Sequence, residues 1–394
     1  MVGKKQMEKK ARQSNFELMR ILAMFLIVMY HAVLHAELAD GTPLVFAPFS
    51  VNQAFSYLVG MWGLTGVGCF FLLTAYFQIP EGKVRSKRLL LLLLQTVFIA
   101  AVAEIFVIVA LRKRAVTAAD VIHILVSPFW GNYWFITAYL ALMFLSPFLN
   151  RIIESLDDRV YRKLLIVFTL VSPLYSTFGD TRQTLCDLSI GVYYYLLWGY
   201  LRKHPGNCIE RHRVPVFIGT LLFCVGSACL SSWYFTRAGK QAAGLFTIFG
   251  RASILQVILA VSLFYMFRNW NIGSKGWINF PAKGMLGVYL IHENQLLFPF
   301  LWNWILFIRD GFTDSAVYPL HLLGCVGLVF ILSTAADLIR LYVLERPLSK
   351  LLDPLDPLFQ KLDDWFNIYI YIYKLGKEKE TAGRGFFPAV FAFT

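Results

Sequence analysis

The chain has 394 residues, of which 58% are hydrophobic and 15% charged; an ordinary soluble domain carries about 25% charged residues, so this composition excludes one and predicts an all-α, polytopic membrane protein. The formal charge of +13 lies in short clusters between apolar runs, where it sets membrane orientation rather than binding nucleic acid. The six cysteines show no Cys-x-x-Cys and no histidine-bearing metal spacing, which predicts neither a disulfide framework nor a metal site.

A window of about 20 residues finds ten candidate spans: 18–38, 56–79, 89–111, 132–149, 163–178, 186–201, 214–235, 245–267, 284–308 and 316–344. The expected architecture is about ten transmembrane helices around an internal cavity. The basic start "MVGKKQMEKKARQSN" has the charge order of a signal peptide, but the apolar run after it is long and lacks a small-x-small cleavage site, so it reads as a retained first span. The segments 163–178 and 186–201 barely cross a core of about 30 Å and could form one re-entrant pair instead.

Lysines and arginines set the orientation. With a cytoplasmic N-terminus, the inner segments hold Lys4, Lys5, Lys9, Lys10 and Arg12, then Lys83, Arg85, Lys87 and Arg88, then Arg151, Arg159, Arg162 and Lys163. Later inner segments continue the bias, and the run from Arg112 to Arg114 is the one conflict. This predicts a multi-pass protein of the cell membrane. Residues 1–350 form the membrane unit and 351–394 a C-terminal tail, in which Pro354 and Pro357 break any long helix and the Trp, Tyr and Lys mixture suits a membrane surface. The stretch "AGRGFFPAVFAFT" that ends the sequence reads as loose.

"RILAMFLIVMYH" in the first span places Arg20 and His31 eleven residues apart, about three helical turns and roughly 16 Å along one face. Glu17 and His35 fall near the same line. Polar groups cost several kcal/mol facing lipid, so this seam is expected to face the bundle interior. An arginine at the interface that snorkels, and a histidine that only bonds a neighbouring helix, are the plain alternatives. Set at this depth, a neutral imidazole can take a proton from a hydroxyl near pH 7, and an arginine three turns away offers a fork for phosphate.

Further motifs follow in order: "GCFFLLTAYF" at 68–77, "NYWFITAYL" at 132–140, "GVYLIH" at 287–292 and "ERP" at 345–347. Tyr133 and Trp134 suit an interface belt on composition alone. Tyr289 and His292, three residues apart, share a helix face. Glu345 and Arg346 before Pro347 suit a local helix stop, and Asp337 with Arg340 a structural pair. Arg85, Lys87 and Arg88 are first of all topology signals.

With Arg-x10-His on the first span, these motifs together resemble the acyltransferase family 3 membrane proteins, over about residues 14–350. The resemblance implies an enzyme of about ten spans that moves an acyl group, commonly acetyl from acetyl-CoA, onto a hydroxyl of a surface or lipid-linked glycan of the cell envelope. It implies His31 as general base or transient acyl acceptor, with His292 and Glu345 as further catalytic candidates. Arg20, Arg85 and Arg88 would hold the CoA phosphates, and Trp134, Tyr133, Tyr289 and His35 would meet substrate. The expected partners are acyl-CoA, a glycan or lipid-linked saccharide acceptor and membrane lipids; no metal is required. The sequence departs from the family pattern at Thr74 and Ala75, which stand for serine and glycine, and in "KVRSKRLLLLLLQ", which lacks the usual proline. The rival readings are a transporter or flippase of lipid-linked glycans and a non-catalytic sensor whose histidines switch with pH.

Overall fold

The structure is a computed structural model that describes residues 12–37, 44–47, 50–129, 133–178, 187–237 and 253–367. The N-terminal lysines, Asn132, the link 179–186, the first part of the 245–267 span and the last residues of the tail lie outside them. Among the described residues there are helices and no β-strand. In hydrocarbon every backbone polar group must be paired inside the chain, and a helix does this within one segment.

In chain order the main helices are α1 (Ser14–Leu34), α2 (Val51–Gly60), α3 (Gly63–Glu81), α4 (Ser86–Phe106), α5 (Ala118–Val126), α6 (Trp134–Ser155), α7 (Asp158–Thr169) and α8 (Asp187–Lys203). They continue with α9 (Arg213–Arg237), α10 (Ile254–Arg268), α11 (Met285–His292), α12 (Phe298–Leu306) and α13 (Tyr318–Arg340). Among the described residues, six stretches are long and apolar enough to cross a membrane: α1, α2 with α3, α4, α6, the first part of α9, and the run that starts with α13. The protein is therefore a multi-pass membrane protein. Where the windows fall on described residues they lie largely on helices, and six of the ten lie on the stretches above. The windows at 163–178 and 186–201 fall on two separate helices, and the 284–308 window is not one helix, since α11 and α12 are separated by Glu293–Leu297.

The first helix is the centre of the bundle, packed against α2, α3, α10, α11 and α13. Its start is tied down: Ser14 Oγ donates to Asn279 Oδ1 at 2.7 Å and accepts from the Lys275 amide at 2.6 Å, while Asn15 Nδ2 donates to the Phe267 carbonyl at 3.0 Å. Close approach of α1 and α3 depends on Gly66, where a Cβ would meet the Ala23 carbonyl at 2.5 Å and Ile27 Cγ1 at 2.7 Å. Small residues at such crossings let backbones touch, which supplies much of the association of helices in lipid. Ala75 is fully buried, and the Thr74 hydroxyl donates to the Phe70 carbonyl at 2.9 Å within its own helix.

Gly82, at φ +65°, ends α3 in the left-handed region that suits glycine. The following helix begins without a cap of its own, and the tail supplies one. Asp363 accepts from the Ser86 amide at 2.7 Å and Asn367 from the Val84 amide at 3.0 Å, while Lys87 binds Asp353 and Asp356 at 2.8 and 2.6 Å. The run from α13 is interrupted at 352–355, where Pro354 stands, and residues 356–367 are helical beyond it. Pro354 and Pro357 stand in first turns, where the amide a proline lacks has no intrahelical partner anyway.

Candidate active site

The polar seam of α1 lines one cavity. A space of about 550 Å³ is bounded at one end by Arg20, Arg88 and Lys283 and holds His31 and Glu293 in its wall, with Trp134 and Tyr289. A second space of about 420 Å³ adjoins it, sharing Arg20, Arg88 and Tyr139 and adding Lys83 and Arg85. Five cations thus line the two spaces, and Arg20 and Arg88 line both. Arg20 is partly neutralised by Glu17 at 2.7 Å, and Arg85 pairs with Glu81. Arg88 makes no ion pair among the described residues.

His31, in the last turn of α1, and His292, at the end of α11, meet. His31 Nδ1 lies 2.9 Å from His292 Nε2 and 3.2 Å from Glu293 Oε1; the same carboxylate oxygen is 3.0 Å from His35 Nε2. His292 Nδ1 contacts the Val288 carbonyl, which can only accept, so this nitrogen carries the proton. A neutral His292 then has its lone pair on Nε2, and His31 must donate to it from Nδ1. The lone pair of His31 is thereby assigned to Nε2. Glu293 backs the same N–H, the arrangement in which a carboxylate holds an imidazole in one tautomer and stabilises the imidazolium that forms.

His31, His292 and Glu293 each offer one ligand atom within 4.8 Å of the others. A divalent cation could be held there, but the tautomers above already give each of these atoms a hydrogen-bond partner.

The break after α11 is what aims Glu293 at α1. Asn294, fully buried, accepts from the Leu296 and Leu297 amides at 3.2 and 3.0 Å and so caps the turn leading to α12. Its Nδ2 donates to Tyr133 Oη at 2.9 Å, and Tyr133 donates in turn to the Leu290 carbonyl at 3.1 Å. On the far side of α11, Gly287 leaves room for Asp337, which binds Arg340 at 2.5 Å.

The sequence-predicted residues separate accordingly. His31, Arg20, Arg88, Trp134 and Tyr289 line the first cavity, and Arg85 the second. His292 and His35 stand behind His31 and Glu293, with His35 stacked on Phe298 at 4.2 Å. Tyr133 is fully buried and holds the helix break. Glu345 accepts from Arg340 at 3.1 Å and lines neither cavity. Glu293, Asn294 and Glu104 were not singled out from the sequence. The signal for the first two was the polar "HEN" inside an apolar run, and for the third a lone acid inside a span.

A family model described as an acyltransferase domain matches residues 13–338. Comparison with curated proteins and with solved structures finds no match. The matched segment contains the whole His31, His292 and Glu293 cluster and both groups of cations, and stops short of Glu345.

Proposed function

Because the chain belongs to acyltransferase family 3 and is a membrane acyltransferase, we propose that it moves an acyl group, acetyl in the simplest case, from acyl-CoA to a hydroxyl of a surface or lipid-linked glycan. One observation carries the reading: Arg20, Arg88 and the His31 imidazole share one cavity, with Arg20 and His31 roughly 16 Å apart along α1. That separation suits a carrier with phosphates at one end and a thioester at the other.

Arg20, Arg88, Lys83 and Arg85 bind the phosphates of the donor, entering from the cytoplasmic face, and the apolar wall between Met24 and Leu92 takes the pantetheine arm. At the far end, His31 Nε2 removes the proton of the acceptor hydroxyl as its oxygen attacks the thioester carbon. The C–S bond breaks, the thiolate leaves, and the proton passes from His31 to the thiolate or to water. Glu293 stabilises the imidazolium in between. In the covalent variant His31 Nε2 attacks first and the acyl group rests there before transfer. Trp134 and Tyr289 offer aromatic faces to the acceptor ring.

The helix broken between α11 and α12 is a feature shared with transporters and favours, as the second reading, passage of a lipid-linked glycan. Thiol release separates the two. Purified protein given acetyl-CoA and a glycan acceptor is expected to liberate CoA thiol in an acceptor-dependent manner, whereas a transporter liberates none.

A further inference from the structure

We propose that Glu104 is a positioning residue for the transfer, acting through Asn294 on the helix break that aims Glu293 at His31; the proposal rests on the acyltransferase reading. Glu104 lies on α4, inside an apolar run, and is fully buried. A carboxyl group at such depth is costly unless its oxygens are occupied, and acids inside spans commonly serve function. Both oxygens have partners. Oε2 is 2.9 Å from His123 Nδ1 on α5, and Oε1 accepts from Asn294 Nδ2 at 3.4 Å.

Asn294 therefore works in three directions. Its carbonyl oxygen caps the turn into α12, and its amide group spans Tyr133 and Glu104. It directly follows Glu293, whose Oε1 serves His31 and His35. Without the Glu104 acceptor the Asn294 amide keeps only Tyr133, so its plane is free to turn and the cap on residues 296–297 loosens. Glu293 rides on that turn. Loss of the catalytic orientation follows at a site that neither acyl-CoA nor acceptor touches, since Glu104 lines neither cavity.

His123, about one-third exposed at its side chain, closes the outer side of Glu104. Its helix is fixed by a capping box in which Thr117 and Asp120 satisfy each other's backbone amides. The arrangement thus runs from a rigid short helix through one buried carboxyl to the backbone that carries Glu293.

The test is kinetic, on full-length protein in lipid nanodiscs with acetyl-CoA and a glycan acceptor. Glu104→Ala is expected to lower kcat about tenfold or more while KM for acetyl-CoA stays within about twofold. Glu104→Gln keeps an acceptor for Asn294 and is expected to restore most of kcat. In a Glu293→Gln background, Glu104→Ala is expected to add little, because both changes act on one group. Should Glu104→Ala fail to fold, Asn294→Ala carries the same kinetic split and the same non-additivity. A loss that tracks only the folded fraction, or full multiplication of the two losses, overturns the proposal. Absence of thiol release by the wild-type protein would instead sink the acyltransferase reading beneath it.

Discussion

Glu293 Oε1 stands 3.2 Å from His31 Nδ1, joining a helix break late in the chain to the first helix. The carboxylate comes from a turn between two short helices, and the imidazole from a long, firmly packed one. Rigid α1 fixes the proposed proton acceptor, while the break can be built only where it is buried in protein or beside a cavity.

That pairing predicts the behaviour of Glu293→Gln. The amide cannot stabilise an imidazolium and can present its N–H₂ to His31, forcing the other tautomer. Acyl transfer should fall by about 10²- to 10⁴-fold in kcat, with KM for acetyl-CoA little changed. Steady-state thiol release on purified variant and wild type checks this.

Arg88 is assigned to the donor phosphates at the junction of the two cavities. Arg88→Ala should raise the apparent KM for acetyl-CoA about 10- to 100-fold, the loss of a charged hydrogen bond of about 1.5–3 kcal/mol, and leave kcat at saturation nearly intact. The penalty should shrink when a donor analogue without phosphates replaces CoA. Equal penalties for both donors would remove the assignment.

Gly66→Val probes the α1–α3 crossing. A branched side chain must displace the Ala23 carbonyl and Ile27, so the variant should lose about 1–3 kcal/mol of stability and, because α1 carries both Arg20 and His31, activity as well. Thermal unfolding in detergent, followed with activity at permissive temperature, measures both.

Asp120 supplies a pH dependence. The Arg114 guanidinium, with Thr117, holds its carboxyl below the usual carboxylate range. A depressed pKa stabilises the folded form above the unfolded pKa and is lost as pH falls through the folded one. Protection of the amides at residues 118–122 against exchange should be full at neutral pH, weaken progressively once pH enters the ordinary carboxylate range, and be lost only below it. In Asp120→Asn that protection should already be weaker at neutral pH.

Much of this was written in the sequence where a period could express it. Arg20 and His31 align because eleven residues make three turns, and a single helix keeps that relation whatever else folds around it. Hydropathy windows did less well. Averaging over about 20 residues hid the three polar residues at 292–294 inside 284–308, so the one element whose interruption builds the site read as a continuous span. Glu104 was diluted in the same way by its apolar neighbours. Glu345 follows another logic: it pairs with Arg340 five residues away, a contact that no helical period marks.

The role of His31 is tested most directly by the initial rate of acceptor-dependent thiol release in His31→Ala, measured on protein whose helicity and thermal unfolding match the wild type. The account predicts a fall of at least about 10²-fold with acetyl-CoA binding retained. A variant that folds, binds acetyl-CoA and transfers the acyl group at the wild-type rate would contradict it.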